Sequence, residues 1–145
     1  MANLRFRIFG GMHAGVYRLT GGRLGGKLGR VPILLLTTTG RKSGQPRTQP
    51  LSYTQAGEGY AVIASKGGAA VHPLWYLNLQ AEHLAEVTVG SETRTVRARD
   101  AEGEERERLW RSLADLFGGY DRYAQKTSRR IPVVVLEPVK PSIRK

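Results

Sequence analysis

Two short apolar runs, Val31-Pro-Ile-Leu-Leu-Leu36 and Ile131-Pro-Val-Val-Val-Leu136, stand near the two ends of most of the chain. Each is far shorter than the roughly 20 residues needed to span a bilayer, so neither is a transmembrane helix. Short runs of this kind read as buried strands. The segment between them is punctuated for hairpins. Ile33 to Thr39 is rich in β-branched residues and runs into the loop Gly40-Arg-Lys-Ser-Gly-Gln-Pro-Arg47, and Thr48 to Gln55 reads as the returning strand. Gly57-Glu-Gly59 precedes a strand from Tyr60 to Ser65, and Gly67 and Gly68 then open a loop. A hairpin follows further on, with strands Ala85 to Val89 and Thr93 to Arg99 turning at Gly90-Ser91.

Three helices fit the remaining body. Pro73 to Gln80 begins with proline and spaces Leu74, Leu77 and Asn78 helically. The acid-rich stretch Glu102 to Glu107 opens a second helix to about Phe117, because carboxylates favour the positive end of a helix dipole. Leu109, Leu113 and Leu116 would be its buried stripe. A third, short helix covers Tyr120 to Thr127, before the final strand Ile131 to Leu136. Six strands, mostly hairpin-linked, with helices inserted late, predict an α+β, mainly β fold: a small barrel with flanking helices.

The first 29 residues differ from the rest. Leu4, Ile8, Met12 and Val16 are spaced four apart with arginines around them, and Gly21 to Gly29 holds five glycines in nine residues. Residues 1–29 therefore read as an N-terminal helical arm and 30–145 as the barrel domain. Residues 1–57 carry nine Lys/Arg and no acid, out of a net charge of +11 for all 145 residues. This asymmetry predicts a polyanionic partner: a phosphorylated cofactor, an anionic membrane surface or nucleic acid. Arg5 and Arg7 are followed by a stretch broken by glycines without a clean cleavage signature, so a cytoplasmic location is expected.

Familiar catalytic constellations are missing. The chain has no cysteine, and His13, His72 and His83 lie at no metal-ligand spacing. No GxSxG surrounds a serine, and no GxxxxGK[ST] or GxGxxG follows a strand. The richest stretch is Thr37 to Arg47, where hydroxyls, adjacent cations and two glycines share one turn. Glycines let backbone amides converge on an anion while Arg and Lys supply charge-assisted bonds.

Thr39-Gly-Arg-Lys-Ser-Gly-Gln-Pro-Arg-Thr48, Ala64-Ser-Lys-Gly-Gly68, His72-Pro-Leu-Trp-Tyr-Leu-Asn-Leu79 and Tyr120-Asp-Arg-Tyr-Ala-Gln-Lys-Thr127, with the final apolar run, resemble in order and spacing the deazaflavin-dependent nitroreductase and quinone reductase family of actinobacteria. The resemblance covers about residues 30 to 138. It implies a flavin-reductase-like split β-barrel holding coenzyme F420, an 8-hydroxy-5-deazaflavin, and passing its hydride to a quinone-like or nitro-aromatic acceptor. It also implies that Arg41, Lys42 and Arg47 hold the phosphate and acidic tail, with Ser43 and Thr48 alongside. Ala64, Ser65 and Lys66 would line the other side, Leu74 and Trp75 face the ring, and Asn78 orient the helix or bond the polyol. Trp75, Phe117, Tyr120 and Tyr123 would bound the acceptor pocket, with Tyr120, Tyr123 and Ser65 as the catalytic candidates. Phe117 stands where relatives often have tyrosine, and Leu74 where methionine is frequent.

An FMN-binding form of the same barrel is the nearest alternative. A basic nucleic-acid-binding module, motivated by the charge and by Trp110 beside Arg111, is the reading from another class, although nucleic acid is not the expected partner. Contact of the arm with an anionic membrane, at its inner face, would suit an enzyme that meets lipid quinones.

Overall fold

Apolar side chains at consecutive positions of a strand can all be buried only if both faces of the sheet are covered. Two strands, at Gly59–Ile63 and Val133–Pro138, meet that condition. Tyr60, Val62, Val134 and Leu136 point into one core, while Ala61, Ile63, Val133 and Val135 join another with Leu109, Leu113, Tyr120 and Ile131. The first core is the inside of a barrel and the second is a layer of helices against its outside.

The computed structural model describes residues 27–28 and 31–139. The strands among them are β1 Lys27–Leu28, β2 Val31–Thr39, β3 Pro46–Ser52, β4 Thr54–Ala56, β5 Gly59–Ile63, β6 Leu84–Val89, β7 Glu92–Asp100 and β8 Val133–Pro138. The helices are α1 Leu74–Ala81, α2 Gly103–Leu116 and α3 Gly119–Lys126. All pairings are antiparallel, in the order β1-β2-β6-β7-β8-β5-β4, with β3 also paired to β2. Only Tyr53 separates β3 from β4, so the two sides of this order are joined through the chain and the sheet curls on itself. Trp75, Tyr76 and Leu79 of α1 pack into the inner core.

The expected barrel with flanking helices is present. Its six expected strands are β2, β3 with β4, β5, β6, β7 and β8, and β1 adds a short pairing of Lys27 and Leu28 with Pro32 and Val31. That pairing reaches into the glycine-rich stretch assigned to the arm's joint. The returning strand breaks at Tyr53, whose N–H donates to the Pro32 carbonyl at 3.2 Å, because one half pairs with β2 and the other with β5. Leu116 departs from its expected buried stripe: it is the last residue of α2 and is 42% exposed, and Ala114 is buried instead. The helix expected in residues 3–20 lies outside the described residues.

Among the described residues β3 pairs with β2 alone, which leaves its second edge open. Pro46 and Pro50, without N–H groups, sit on this edge strand and guard it against pairing with another chain.

One buried charge is out of keeping with the barrel wall. Glu86 of β6 lies directly opposite Thr37 of β2 and Thr95 of β7, is 5% exposed, and has a carboxylate oxygen with no hydrogen-bond partner among the described residues. Burial pushes its pKa up to about 7. The folded protein then binds more protons than the unfolded chain between the ordinary carboxylate range and neutrality, so stability falls as pH rises through that window. Glu86→Gln is expected to stabilise the protein by about 1–3 kcal/mol at pH 8, with little effect at pH 4.5, where both forms are neutral. Urea unfolding at the two pH values checks this, and an equal shift at both would remove the buried charge as its cause.

Candidate functional site

The polar end of β2 leads into a loop whose shape is set by its own small residues. The Gly40 N–H donates to the Gln45 carbonyl and the Gly44 N–H to the Gly40 carbonyl, both at 2.8 Å. Gly44 has φ of +74°, in the left-handed region that favours glycine. Ser43 Oγ accepts from the Gln45 N–H at 3.1 Å and from Arg47 Nη2 at 3.3 Å. Ser43 thus builds the loop, and the Arg41 and Lys42 side chains are left exposed on it.

Asn78 ties this loop to α1. Its Oδ1 accepts from the Arg41 backbone N–H and its Nδ2 donates to Thr38 Oγ1, each at 3.0 Å, with the residue 6% exposed. Using both ends of the amide fixes its orientation and the register of helix against loop. Both ends of the Asn78 side-chain amide are thus engaged within the protein.

A cavity of about 600 Å³ opens between the loop, the start of β3 and the first turn of α1. Arg41, Lys42 and Arg47 line one side, and Leu74 and Trp75 an apolar one; Ser43, Thr48 and Asn78 contribute polar groups, and no acidic residue lines it. Thr48 Oγ1 is 2.7 Å from Thr37 Oγ1, a hydrogen bond that locks its rotamer. Leu74 is 66% exposed, whereas Trp75 is buried in the barrel core and meets the cavity from there. Three cations without a counter-acid suit an extended anion, and the apolar wall suits a flat ring.

The other expected site residues lie elsewhere. Ala64 and Ser65 are buried at the end of β5, Lys66 is exposed, and none of the three lines this cavity. Ala64 shares the inner core with Trp75, and a methyl added at Gly68 would come 2.9 Å from the Tyr123 carbonyl oxygen, so the connection after β5 runs from the cavity's back wall to α3. Phe117, Tyr120 and Tyr123 form one aromatic group, with ring centroids 5.2 Å apart for Phe117 and Tyr120 and 6.2 Å for Tyr120 and Tyr123. Tyr120 does not line the cavity. It is 6% exposed, its hydroxyl is hydrogen-bonded to Ser52 Oγ, and burial raises its pKa. Tyr123 and Phe117 are the members of the group that reach solvent.

Reasoning from sequence missed Arg129, which bonds backbone carbonyls of residues 64, 65 and 69. The available signal was a cation pair, Arg129-Arg130, directly before a buried strand, where an unsatisfied charge would be costly.

The sequence profile of the F420H(2)-dependent quinone reductase family matches residues 11–138. An F420H(2)-dependent quinone reductase of Mycobacterium tuberculosis is 42% identical over 129 residues, covering 86% of this chain and 87% of the relative. Among solved structures, an F420-H2 dependent reductase, FDR-A, superimposes with a TM-score of 0.67 at 43% identity, covering 73% of this chain and 94% of the other. A second, described as a domain-swapped dimer, has a TM-score of 0.68 at 43% identity and covers 73% and 80%. With a cationic, acid-free cavity that fits a phosphorylated, acid-tailed deazaflavin, this chain belongs to the F420H(2)-dependent quinone reductase family and is an F420-dependent oxidoreductase of the flavin-reductase-like split-barrel fold.

Proposed function

We propose that the chain reduces a quinone-like acceptor at the mouth of the cavity, with nitro-aromatic compounds as further acceptors. The observation that carries this is the composition of the cavity: Arg41, Lys42 and Arg47 on one side, Leu74 and Trp75 on the other, and no acid between them. When bound, the deazaflavin supplies the hydride, so the protein needs no metal or histidine base. The cations anchor the phosphate and carboxylate tail, with Ser43 and Asn78 holding their loop in shape and Thr48 fixed by Thr37. Leu74 and Trp75 set the plane of the ring. Ala64, Ser65 and Lys66 lie outside the cavity lining, on the connection that runs from behind Trp75 to Tyr123, and the hydroxyl of Tyr123 would supply the proton that accompanies the hydride.

The aromatic group divides its labour. Tyr120 is enclosed and bonded to Ser52, which supports a packing role, while Tyr123 and Phe117 present ring surface to an acceptor. No helix among the described residues is long and apolar enough to cross a membrane. Peripheral contact with anionic lipid is assigned to the arm, on the strength of its arginines and apolar spacing.

Parallel fluorescence titrations with oxidised F420 and FMN test the cofactor reading: F420 should bind at least about 10-fold more tightly, since FMN lacks the acidic tail that charge-assisted bonds would recognise. Tight FMN binding without F420 binding would sink it. With menadione as acceptor, Tyr123→Ala should lower kcat/KM about 10-fold, and Tyr120→Phe should cost about 1 kcal/mol of stability with kcat/KM nearly unchanged. A large kcat/KM loss confined to Tyr120→Phe would reverse these roles.

A further inference from the structure

The connection from the end of β5 to the start of α1 has little of its own to hold it. Lys66, Gly67 and Gly68 have φ of +47°, +64° and +84°, three successive left-handed residues of which one is not glycine. Its own turns are made by the Gly68 N–H to the Ser65 carbonyl at 2.9 Å and the Ala69 N–H to the Lys66 carbonyl at 3.1 Å.

A single guanidinium from another part of the chain spans this connection. Arg129 lies between α3 and β8. Its Nη2 donates to the carbonyls of Ala64 at 3.1 Å and Ser65 at 2.8 Å, its Nε to the Ala69 carbonyl at 2.8 Å, and its Nη1 is 3.0 Å from His72 Nδ1. Because a guanidinium only donates, His72 Nδ1 is the acceptor and the imidazole carries its proton on Nε2. The four acceptors run from Ala64, the residue after β5, to His72, the residue before the Pro73 N-cap of α1. All but one are backbone carbonyls, so what Arg129 recognises is the course of the main chain. Lysine could satisfy one or two of these groups but has no planar fork to span four.

We propose that Arg129 is a positioning residue for the reductase reaction: from outside the cavity it fixes Ser65 and Lys66 at one end of the connection and the first turn of α1, with Leu74 and Trp75, at the other. It sets the alignment of ring and acceptor, and leaves affinity for the cofactor's anionic tail to Arg41, Lys42 and Arg47. This rests on the cavity being the F420 seat. Misplacement of reacting groups by about 1 Å is enough to cost on the order of 100-fold in rate without a matching loss of binding.

The test uses the full chain and the variants Arg129→Lys, Arg129→Ala and His72→Ala. Without cofactor, amide hydrogen exchange across residues 64–73 should accelerate about 10-fold or more in Arg129→Lys, while peptides of β2 and β8 stay as in wild type. With oxidised F420 the dissociation constant should change by less than about 3-fold, and kcat with menadione should fall about 10- to 100-fold. Free guanidinium at millimolar concentration should restore part of kcat to Arg129→Ala and none to Arg129→Lys, and His72→Ala should show a smaller effect of the same kind. Should Arg129→Ala not fold, Arg129→Lys and His72→Ala decide the matter. Unchanged exchange in residues 64–73, or faster exchange with wild-type kcat, overturns the proposal, as does acceleration spread evenly over the barrel. Failure of the wild type to bind F420 would instead overturn the cofactor seat, with the exchange measurement still deciding whether Arg129 fastens the connection.

Discussion

Replacing Arg41 and Lys42 together by alanine is expected to weaken F420 binding about 10- to 1000-fold, because each charge-assisted bond is worth about 1.5–3 kcal/mol and neighbouring losses are not fully additive. The loop itself should survive. Its tie to α1 runs through the Arg41 backbone N–H and Asn78 Oδ1, which alanine retains, and its turn is closed by Gly40, Ser43, Gly44 and Gln45. Both side chains are exposed, so the melting temperature should move little. The discriminating measurement is the F420 fluorescence titration set beside thermal unfolding of the same sample. Wild-type affinity in the double variant would take this loop out of the cofactor site.

A change far from the cavity should be the most damaging to the fold. Gly59 opens β5, where a methyl group would overlap the carbonyl oxygen of Leu136 on β8 and come within 2.9 Å of Pro138 Cδ. The obstacle is backbone, which cannot step aside without disturbing the β5–β8 ladder. Gly59→Ala is therefore expected to cost about 3 kcal/mol or more and to lower Tm by about 10 °C. Gly90→Ala is the control: φ there is +63° but nothing lies within 4 Å, so only the backbone preference is lost, about 1 kcal/mol. Equal effects of the two substitutions would show that the close approach of β5 and β8 is not the constraint.

What could be read from the chain was what is encoded locally. The strand at Val133–Leu136 was legible because an unbroken β-branched run has one comfortable environment, a strand covered on both sides. The loop at Gly40–Arg47 was legible because two glycines and three cations around one turn leave few other uses. Tyr53 was not, since nothing in Leu-Ser-Tyr-Thr-Gln says that the strand changes partners there; that depends on β2 and β5 lying on opposite sides of it. Tyr120 and Tyr123 are alike in sequence, and only the position of Ser52, 68 residues before Tyr120, separates an enclosed hydroxyl from an open one. Arg129 showed in the sequence only as half of a cation pair before a buried strand, and its partners did not show at all. Three of its four acceptors are main-chain carbonyls 60 to 65 residues away, and backbone groups leave no mark in the residue types they belong to.

The place of β8 has a consequence for the order in which the barrel assembles. The hairpins β2–β3 and β6–β7 join near neighbours and can form early, since closing a short loop costs little entropy. The slot between β7 and β5 is filled by β8, which aligns Tyr60 with Leu136 and Val96 with Pro138. The last strand of the described chain is thus a central one, and until it arrives β5 and β7 face each other across a gap. Such distant pairing makes folding slow relative to a helical protein of this size. On the ribosome, neither the interior nor the helix-covered outer layer can close before residues near 136 emerge, so a nascent chain presents Val62, Ile63 and Val96 to water until that strand is available. How long those side chains stay uncovered is accordingly set by the position of one strand, and a rearranged chain that brings β8 forward should shorten that exposure.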